Sequence, residues 1–436
     1  MTAVRSSSDP LAQLLRGEWT DPDSGAATGI DIAAIAIEDN LRGCEAALVS
    51  ELGLGRRLAV VSDAVTHEVM GARVEQALAK LARVDSIVLP RNPHADLPTA
   101  NAVRAQSVAA DALIAVGSGT INDLAKYAAA CDAKPYAVFA TAPSMNGYTS
   151  TNAAITVAGH KKSLPATLAR GVFLDLAILC AAPPRMIRAG LGDSLCRATA
   201  QVDWLLSNRL RDTAYRSAPF ALLEADESAL LDAPEALVDG EPDAMRALAR
   251  TLVLSGIGMT LCGGSYPASQ GEHLISHYLD MRATNSPPML HGEQVAVATL
   301  TMARIQEAML EAPPPVLRAT RVDERALKTH FGDDVGAACW RDFAPKRLDD
   351  AQAAALTERA AEHWETLRRT ARTVRIPAER LASIMQRAGG PVQAADLGID
   401  AATWDGAVRH ARFLRDRFTF LDLADDAGIL SAAHFR

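Results

Sequence analysis

The segment Gln270-Gly271-Glu272-His273-Leu274-Ile275-Ser276-His277 carries two imidazoles four residues apart. In a helix that spacing sets His273 and His277 on one face. A third histidine, His291, stands eighteen positions after His273, within Leu290-His291-Gly292-Glu293-Gln294. Upstream, Gly190-Leu191-Gly192-Asp193-Ser194 offers a carboxylate. Two imidazoles from neighbouring helices and one carboxylate make a three-ligand divalent site with an open position for an alcohol oxygen or water. A metal there would lower the pKa of an alcohol and polarise its oxygen while the carbon loses hydride. Plainer roles compete. Asp193 precedes a helix running through Trp204 and stands where an N-cap belongs, and a lone buried histidine is most often a satisfied core residue.

A second constellation surrounds Val116-Gly117-Ser118-Gly119-Thr120-Ile121-Asn122-Asp123, which leaves an apolar strand and enters a helical pattern. Gly117 and Gly119 allow backbone N–H groups to approach an anion, and the helix start adds partial positive charge, so a pyrophosphate fits. A GxG turn alone also suits a tight βα connection that binds nothing. The next strand, Tyr136-Ala137-Val138-Phe139-Ala140, ends in the polar loop Thr141-Ala142-Pro143-Ser144-Met145-Asn146-Gly147-Tyr148-Thr149-Ser150. Ligands of open α/β sheets lie at that carboxyl edge, although each of these residues is also an ordinary turn former.

The elements that must position these residues fall into two halves. From Ile30 to about Leu179, β-prone runs at 58–62, 86–89 and 112–116 alternate with helical stretches, which argues for βαβ units and a parallel sheet. After Pro183-Pro184 apolar spacings of three and four residues dominate, and breaks are expected at 232–243, 286–288, 312–316 and 389–391. We therefore expect a lead-in over residues 1–29, an α/β nucleotide-binding domain over 30–180 and an all-helical domain over 181–436, with the chemistry in a cleft between the two domains. The charge-dense stretch 359–375 reads as a solvated helix face.

Of the 436 residues, 49% are hydrophobic and 22% charged, the composition of a globular protein rather than a disordered one. A formal net charge of -8 gives no general attraction for nucleic acid or an anionic membrane. Six scattered cysteines without a CxxC pair, no apolar leader and no bilayer-length run lead us to expect a cytoplasmic protein without membrane insertion.

Taken in order, the glycine turn, the Thr-Ala-Pro-Ser-Met-x-Gly-Tyr-Thr-Ser loop, Gly-Asp, Glu-His-x-x-Ser-His and His-Gly-Glu-Gln resemble the bacterial branch of the sn-glycerol-1-phosphate dehydrogenases. This branch sits in the larger group of glycerol dehydrogenase, iron-containing alcohol dehydrogenases and 3-dehydroquinate synthase. The resemblance extends from about Ile30 to the closing segment Arg417-Phe418-Thr419-Phe420-Leu421-Asp422-Leu423. It implies the dehydroquinate synthase-like fold, with a Rossmann-like sheet and a helical domain. It also implies direct hydride transfer between NAD or NADP and dihydroxyacetone phosphate or sn-glycerol 1-phosphate, and a homodimer.

By the same resemblance Gly117, Ser118, Gly119, Thr120 and Ile121 would hold the cofactor pyrophosphate, with Thr141, Ser144 and Ser150 lining the rest. Asp193, His273 and His291 would bind zinc, nickel or iron, with Asp193 also catalytic, and His277 and Asn146 would touch substrate. Asn146 departs from the family, which has Asp there; the amide keeps an acceptor and adds donors but cannot act as a base. That departure leaves open a related phospho-alcohol dehydrogenase with a changed substrate, or a cofactor-binding paralogue without turnover. A 3-dehydroquinate synthase is disfavoured, because that branch uses glutamate where this chain has Asp193.

Overall fold

The computed structural model describes residues 9–282 and 289–430; the break expected at 286–288 lies outside them. Strands β1 (Ala34–Glu38), β2 (Arg57–Asp63), β3 (Arg83–Leu89), β4 (Ala112–Gly117), β5 (Tyr136–Ala140) and β6 (Gly171–Asp175) form one sheet in the order β1-β6-β5-β4-β2-β3. Every pair in it is parallel. Strands β4, β5 and β6 are buried at every position, as expected of apolar strands covered on both faces. Phe139 and Phe173 meet in this core with ring centroids 4.8 Å apart. From β2 the chain goes out to β3 and returns on the other side of β2 as β4, which creates a topological switch point between β2 and β4. Gly117 ends β4 opposite Ala140, the end of β5, so the glycine turn at that switch point and the polar loop one strand further on share the carboxyl edge.

The helices that carry or brace the candidate site are α1 (Gly119–Cys131), α2 (Pro184–Leu195), α3 (Arg197–Arg211), α4 (Pro242–Leu261), α5 (Gly271–Arg282), α6 (His291–Glu311), α7 (Asp350–Val374) and α8 (Phe420–Asp426). The described residues of Met1–Gly190 and Arg216–Ser265 form one compact unit, and those of Leu191–Tyr215 and Tyr266–Arg436 form the other. This division differs from the boundary expected at 180/181 in one large respect: the helical segment 216–265 belongs with the sheet. The reason is visible at Gly256 of α4, where a Cβ would stand 2.2 Å from Thr149 Oγ1 and 2.5 Å from the Asn146 carbonyl. Thr149 also donates to the Val253 carbonyl at 2.7 Å.

Two further features differ from the sequence-based expectation. The lead-in, expected to be loosely ordered around one short helix near Leu11 to Leu15, has that helix at Pro10–Arg16 but is built into the first unit: it adds the pair Trp19–Thr20 with Ala27–Thr28, Leu14 is fully buried and Arg250 pairs with Asp9. Between β5 and β6, an antiparallel hairpin joins Asn152–Val157 to His160–Pro165. Its turn takes positive φ at Ala158 and Gly159, a conformation usually announced by Asn-Gly rather than Ala-Gly.

Among its described residues the second unit is entirely helical. Helix α7 buries Ala353, Leu356, Ala360, Trp364, Leu367 and Ala371 along one side, and the charged residues of 359–375 occupy the remainder. Asp203 on α3 braces two helix starts at once, accepting from Gly271 N at the start of α5 and from Phe420 N at the start of α8, both at 3.0 Å. Among the described residues no helix is long and apolar enough to cross a membrane.

Candidate active site

Asp193 lies in the last turn of α2, and the next helix, α3, is capped by Cys196 instead. The N-cap role is therefore corrected: the residues before Asp193 are themselves helical, and the helix continues through it. Gly192 explains how the carboxylate reaches the histidines. A Cβ at Gly192 would stand 2.3 Å from the Gly292 carbonyl and 2.8 Å from Ala296 Cβ, so α2 lies directly on the first turns of α6, beside His291.

Asp193 Oδ1 lies 3.6 Å from His273 Nε2 and 3.8 Å from His291 Nε2. The three ligand atoms all fall within 4.8 Å of one another. Neighbouring groups aim both rings. Glu272 Oε1 is 3.0 Å from His273 Nδ1 and accepts its proton, which leaves the lone pair on Nε2. Ser276 donates to Gln294 Oε1 at 2.7 Å, so its oxygen accepts from His291 Nδ1 at 3.1 Å, and Gln294 Nε2 donates in turn to Asp280 at 3.1 Å. Both imidazoles thus present Nε2 lone pairs to one carboxylate oxygen, the donor set of a divalent cation. Burial disfavours charge on His273, but the carboxylates of Asp193 and Glu272 outweigh it and push its pKa up to about 8. A pocket that attracts positive charge this strongly suits a metal ion.

Cys196, Glu272 and His273 form an overlapping group of the same compactness. Its members are already committed: Glu272 accepts from Gln270 N at 2.7 Å and Thr199 Oγ1 at 3.1 Å, while the Cys196 thiol is directed to the Ala268 carbonyl at 3.4 Å. The convergent set is Asp193, His273 and His291. His277 stands beside it, its ring centroid 6.2 Å from those of both His273 and His291. Arg415 Nη2 is 3.2 Å from His277 Nδ1.

Gly192→Ala is expected to keep the protein folded but to force α2 off α6, weakening metal affinity by ~10–100-fold, the usual cost of disturbing groups that orient ligands. Competition with a metal chelator measures this, and unchanged affinity would contradict the role given to the close approach.

At the sheet edge, Gly117 is required because a Cβ would meet Ile121 Cβ at 2.5 Å. Ser118 is extended and makes no side-chain cap, and the first backbone bond of α1 runs from Asn122 N to Ser118 O at 3.0 Å. The N–H groups of Gly119, Thr120 and Ile121 therefore belong to the part of the helix start that suits a phosphate. Thr141 N donates to Gly117 O at 3.2 Å, joining the two loops. Ser144 is partly buried on the same loop.

Buried Lys126 organises this loop from within, donating to the carbonyls of Gly147 at 2.5 Å, Ser150 at 3.0 Å and Asn152 at 3.1 Å. Burial pulls its pKa down to about 8 against the opposing pull of Asp123. The Ser150 hydroxyl is turned toward this lysine at 3.3 Å, so the site assigned to it beside the cofactor coincides with a loop-bracing role. Asn146 is buried, with Nδ2 donating to Ser255 Oγ at 3.3 Å. The sequence alone gives no role to Lys126, Glu272, Ser276, Gln294 or Arg415. Ser276 and Gln294 lie inside the motifs that carry the resemblance, and Glu272 adjoins a ligand, whereas nothing local to Lys126 or Arg415 announces burial.

Residues 36–183 match the family described as iron-containing alcohol dehydrogenase. The chain is 28% identical over 408 residues to the glycerol-1-phosphate dehydrogenase [NAD(P)+] of Bacillus licheniformis, covering 92% of this chain and 90% of that protein. With the enzyme of the same name from Geobacillus thermodenitrificans it is 30% identical over 314 residues, 71% of this chain and 70% of that one. Among solved structures, glycerol dehydrogenase from Schizosaccharomyces pombe is similar over 93% of this chain and 90% of its own, at 17% identity and a TM-score of 0.60. NADH-dependent butanol dehydrogenase A from Thermotoga maritima has a TM-score of 0.56 at 15% identity, over 91% of this chain and 96% of its own. These two confirm the fold, and the curated relatives show that the chain belongs to the glycerol-1-phosphate dehydrogenase family.

Proposed function

We infer that this protein is a metal-dependent, NAD(P)-linked oxidoreductase interconverting dihydroxyacetone phosphate and sn-glycerol 1-phosphate. The observation that carries the reading is the convergence of the His273 and His291 Nε2 atoms on Asp193 Oδ1, on a chain with curated relatives of that name. When bound, the nicotinamide cofactor accepts or supplies hydride, and the divalent ion, zinc, nickel or iron by family analogy, stabilises negative charge on the substrate oxygen.

The chain's own residues do the positioning. The turn Gly117-Ser118-Gly119-Thr120-Ile121 offers backbone N–H groups to the pyrophosphate, with Thr141 and Ser144 beside it and Ser150 holding the loop on Lys126. Asp193, His273 and His291 hold the ion, oriented by Glu272 and by the relay from Ser276 to Asp280. His277 accepts from Arg415 on Nδ1, so its proton sits on Nε2, where it serves as a donor to substrate. Asn146 offers an amide to a substrate hydroxyl. The division of work between a cofactor-binding α/β domain and a metal-binding helical domain belongs to the same reading, as do a cytoplasmic setting and a homodimer.

The test is oxidation of NADH and NADPH with dihydroxyacetone phosphate after separate loading with zinc, nickel and iron, with Asn146→Asp in parallel. Metal-dependent turnover by the unmodified protein is expected. Silence from it, with activity in Asn146→Asp, would mean a site retuned for another substrate.

A further inference from the structure

We propose that Arg415 is the phosphate-recognising residue of this site, gripping the substrate's phosphate from beside His277; this rests on the reading of the substrate as a phosphorylated alcohol or ketone. Arg415 lies between the short turn Ala411–Leu414 and α8. It is partly buried, and among the described residues its hydrogen-bond partner is His277 Nδ1, with no carboxylate in ion-pair contact. One N–H is spent on the imidazole. The guanidinium has five, arranged as a planar fork that matches the oxygens of a phosphate two at a time.

The placement suits the substrate's length. His277 adjoins both His273 and His291, and in dihydroxyacetone phosphate the phosphorus lies three bonds from the reacting carbonyl carbon. A substrate with its oxygen among Asp193, His273 and His291 and its phosphate turned toward His277 would bring that phosphate to Arg415, the hydrogen-bond partner of His277. Charge agrees. Burial, reinforced by the like charge of Arg417, pulls the Arg415 pKa down to about 9, and Asp416 and Asp342 only partly offset this. A bound dianion would relieve both effects.

The arginine is also held in place before any ligand arrives. Lys346 Nζ donates to the carbonyls of Arg412 and Arg417 on either side of it, the latter at 2.9 Å, and Arg412 is tied to Asp422 and Asp426 at 3.1 and 2.8 Å. Little ordering is left to be done on binding.

The experiment compares kcat/KM for dihydroxyacetone phosphate and for unphosphorylated dihydroxyacetone in the metal-loaded protein, in Arg415→Gln and in Arg415→Lys, with metal content measured in each. Calorimetry with inorganic phosphate runs alongside. The preference for the phosphorylated ketone is expected to fall by ~100-fold in Arg415→Gln, the scale of a lost charge-assisted pair, with partial recovery in Arg415→Lys, and phosphate binding should weaken in parallel. Equal losses on both ketones at full metal content would overturn the inference and leave Arg415 as a positioning residue for His277. If the unmodified protein turns over neither ketone, the underlying functional reading fails, and calorimetry still decides this one: phosphate affinity unchanged in Arg415→Gln overturns it, and affinity lost supports it.

Discussion

Asp193→Ala is expected to strip the metal and reduce kcat/KM by at least ~10³-fold, since the Lewis-acid contribution of a bound ion is several kcal/mol. The size of the effect comes from where the carboxylate stands. It is the one anionic member of the convergent set, it is 1% exposed, and both imidazoles are aimed at the same oxygen. Metal content by elemental analysis should drop with activity, while the parallel sheet, to which Asp193 contributes nothing, keeps its far-ultraviolet signal. Asp193→Asn separates charge from shape: it retains an oxygen at the same place but removes the negative charge, so weak, easily chelated metal and intermediate activity are expected. Full metal occupancy in Asp193→Ala would show that the ion is held elsewhere, and the Cys196, Glu272 and His273 group would then be the place to look.

The second large effect concerns stability. Asp422→Ala is expected to destabilise the helical unit by about 3–5 kcal/mol, the cost of removing one partner of a buried ion pair. Asp422 is fully buried, caps α8 by accepting from Thr419 N at 2.8 Å, and pairs with both Lys346 and Arg412 at 3.1 Å. Arg412 keeps Asp426 after the substitution, but Lys346, 1% exposed, has no other carboxylate partner among its described ion pairs. Burial already pulls the Lys346 pKa down, with Asp422 opposing that shift, so the lysine left behind would shed its proton or admit water. Equilibrium urea unfolding followed by tryptophan fluorescence, with Trp364 in the affected core, measures the loss. A change under ~1 kcal/mol would place Asp422 among surface-like pairs. The segment 417–423, through Asp422 and Lys346, thus ties down the backbone on which Arg415 stands.

How much of the fold and site is legible in the sequence depends on whether a residue's role is set by its neighbours along the chain. His273, His277 and His291 can be read because helical periodicity alone puts the first two on one face, and the third opens a further helical pattern, α6. The strands β4 and β5 can be read because a parallel strand covered on both faces is an unbroken apolar run. The glycine turn can be read because backbone conformation is a local property. Sequence leaves Asp193 divided between capping and coordination; the helix that continues through it removes the cap, and Gly192, whose missing side chain lets the end of α2 rest on the Gly292 carbonyl, brings its carboxylate beside the two imidazoles.

Tertiary structure alone decided the rest. The segment 216–265 is as helical in pattern as the helices after it, and only tertiary contacts such as Gly256 against the Asn146–Thr149 loop and Arg250 with Asp9 assign it to the α/β unit. Lys126 and Lys346 look like surface lysines in the sequence; their burial depends on carbonyls that lie 21 to 71 residues away along the chain. Arg415 meets His277 across 138 residues. Periodicity and turn chemistry act within a few residues and so are written in the sequence, whereas the partner of a charged side chain is fixed by which distant backbone or imidazole the packing brings within hydrogen-bond reach.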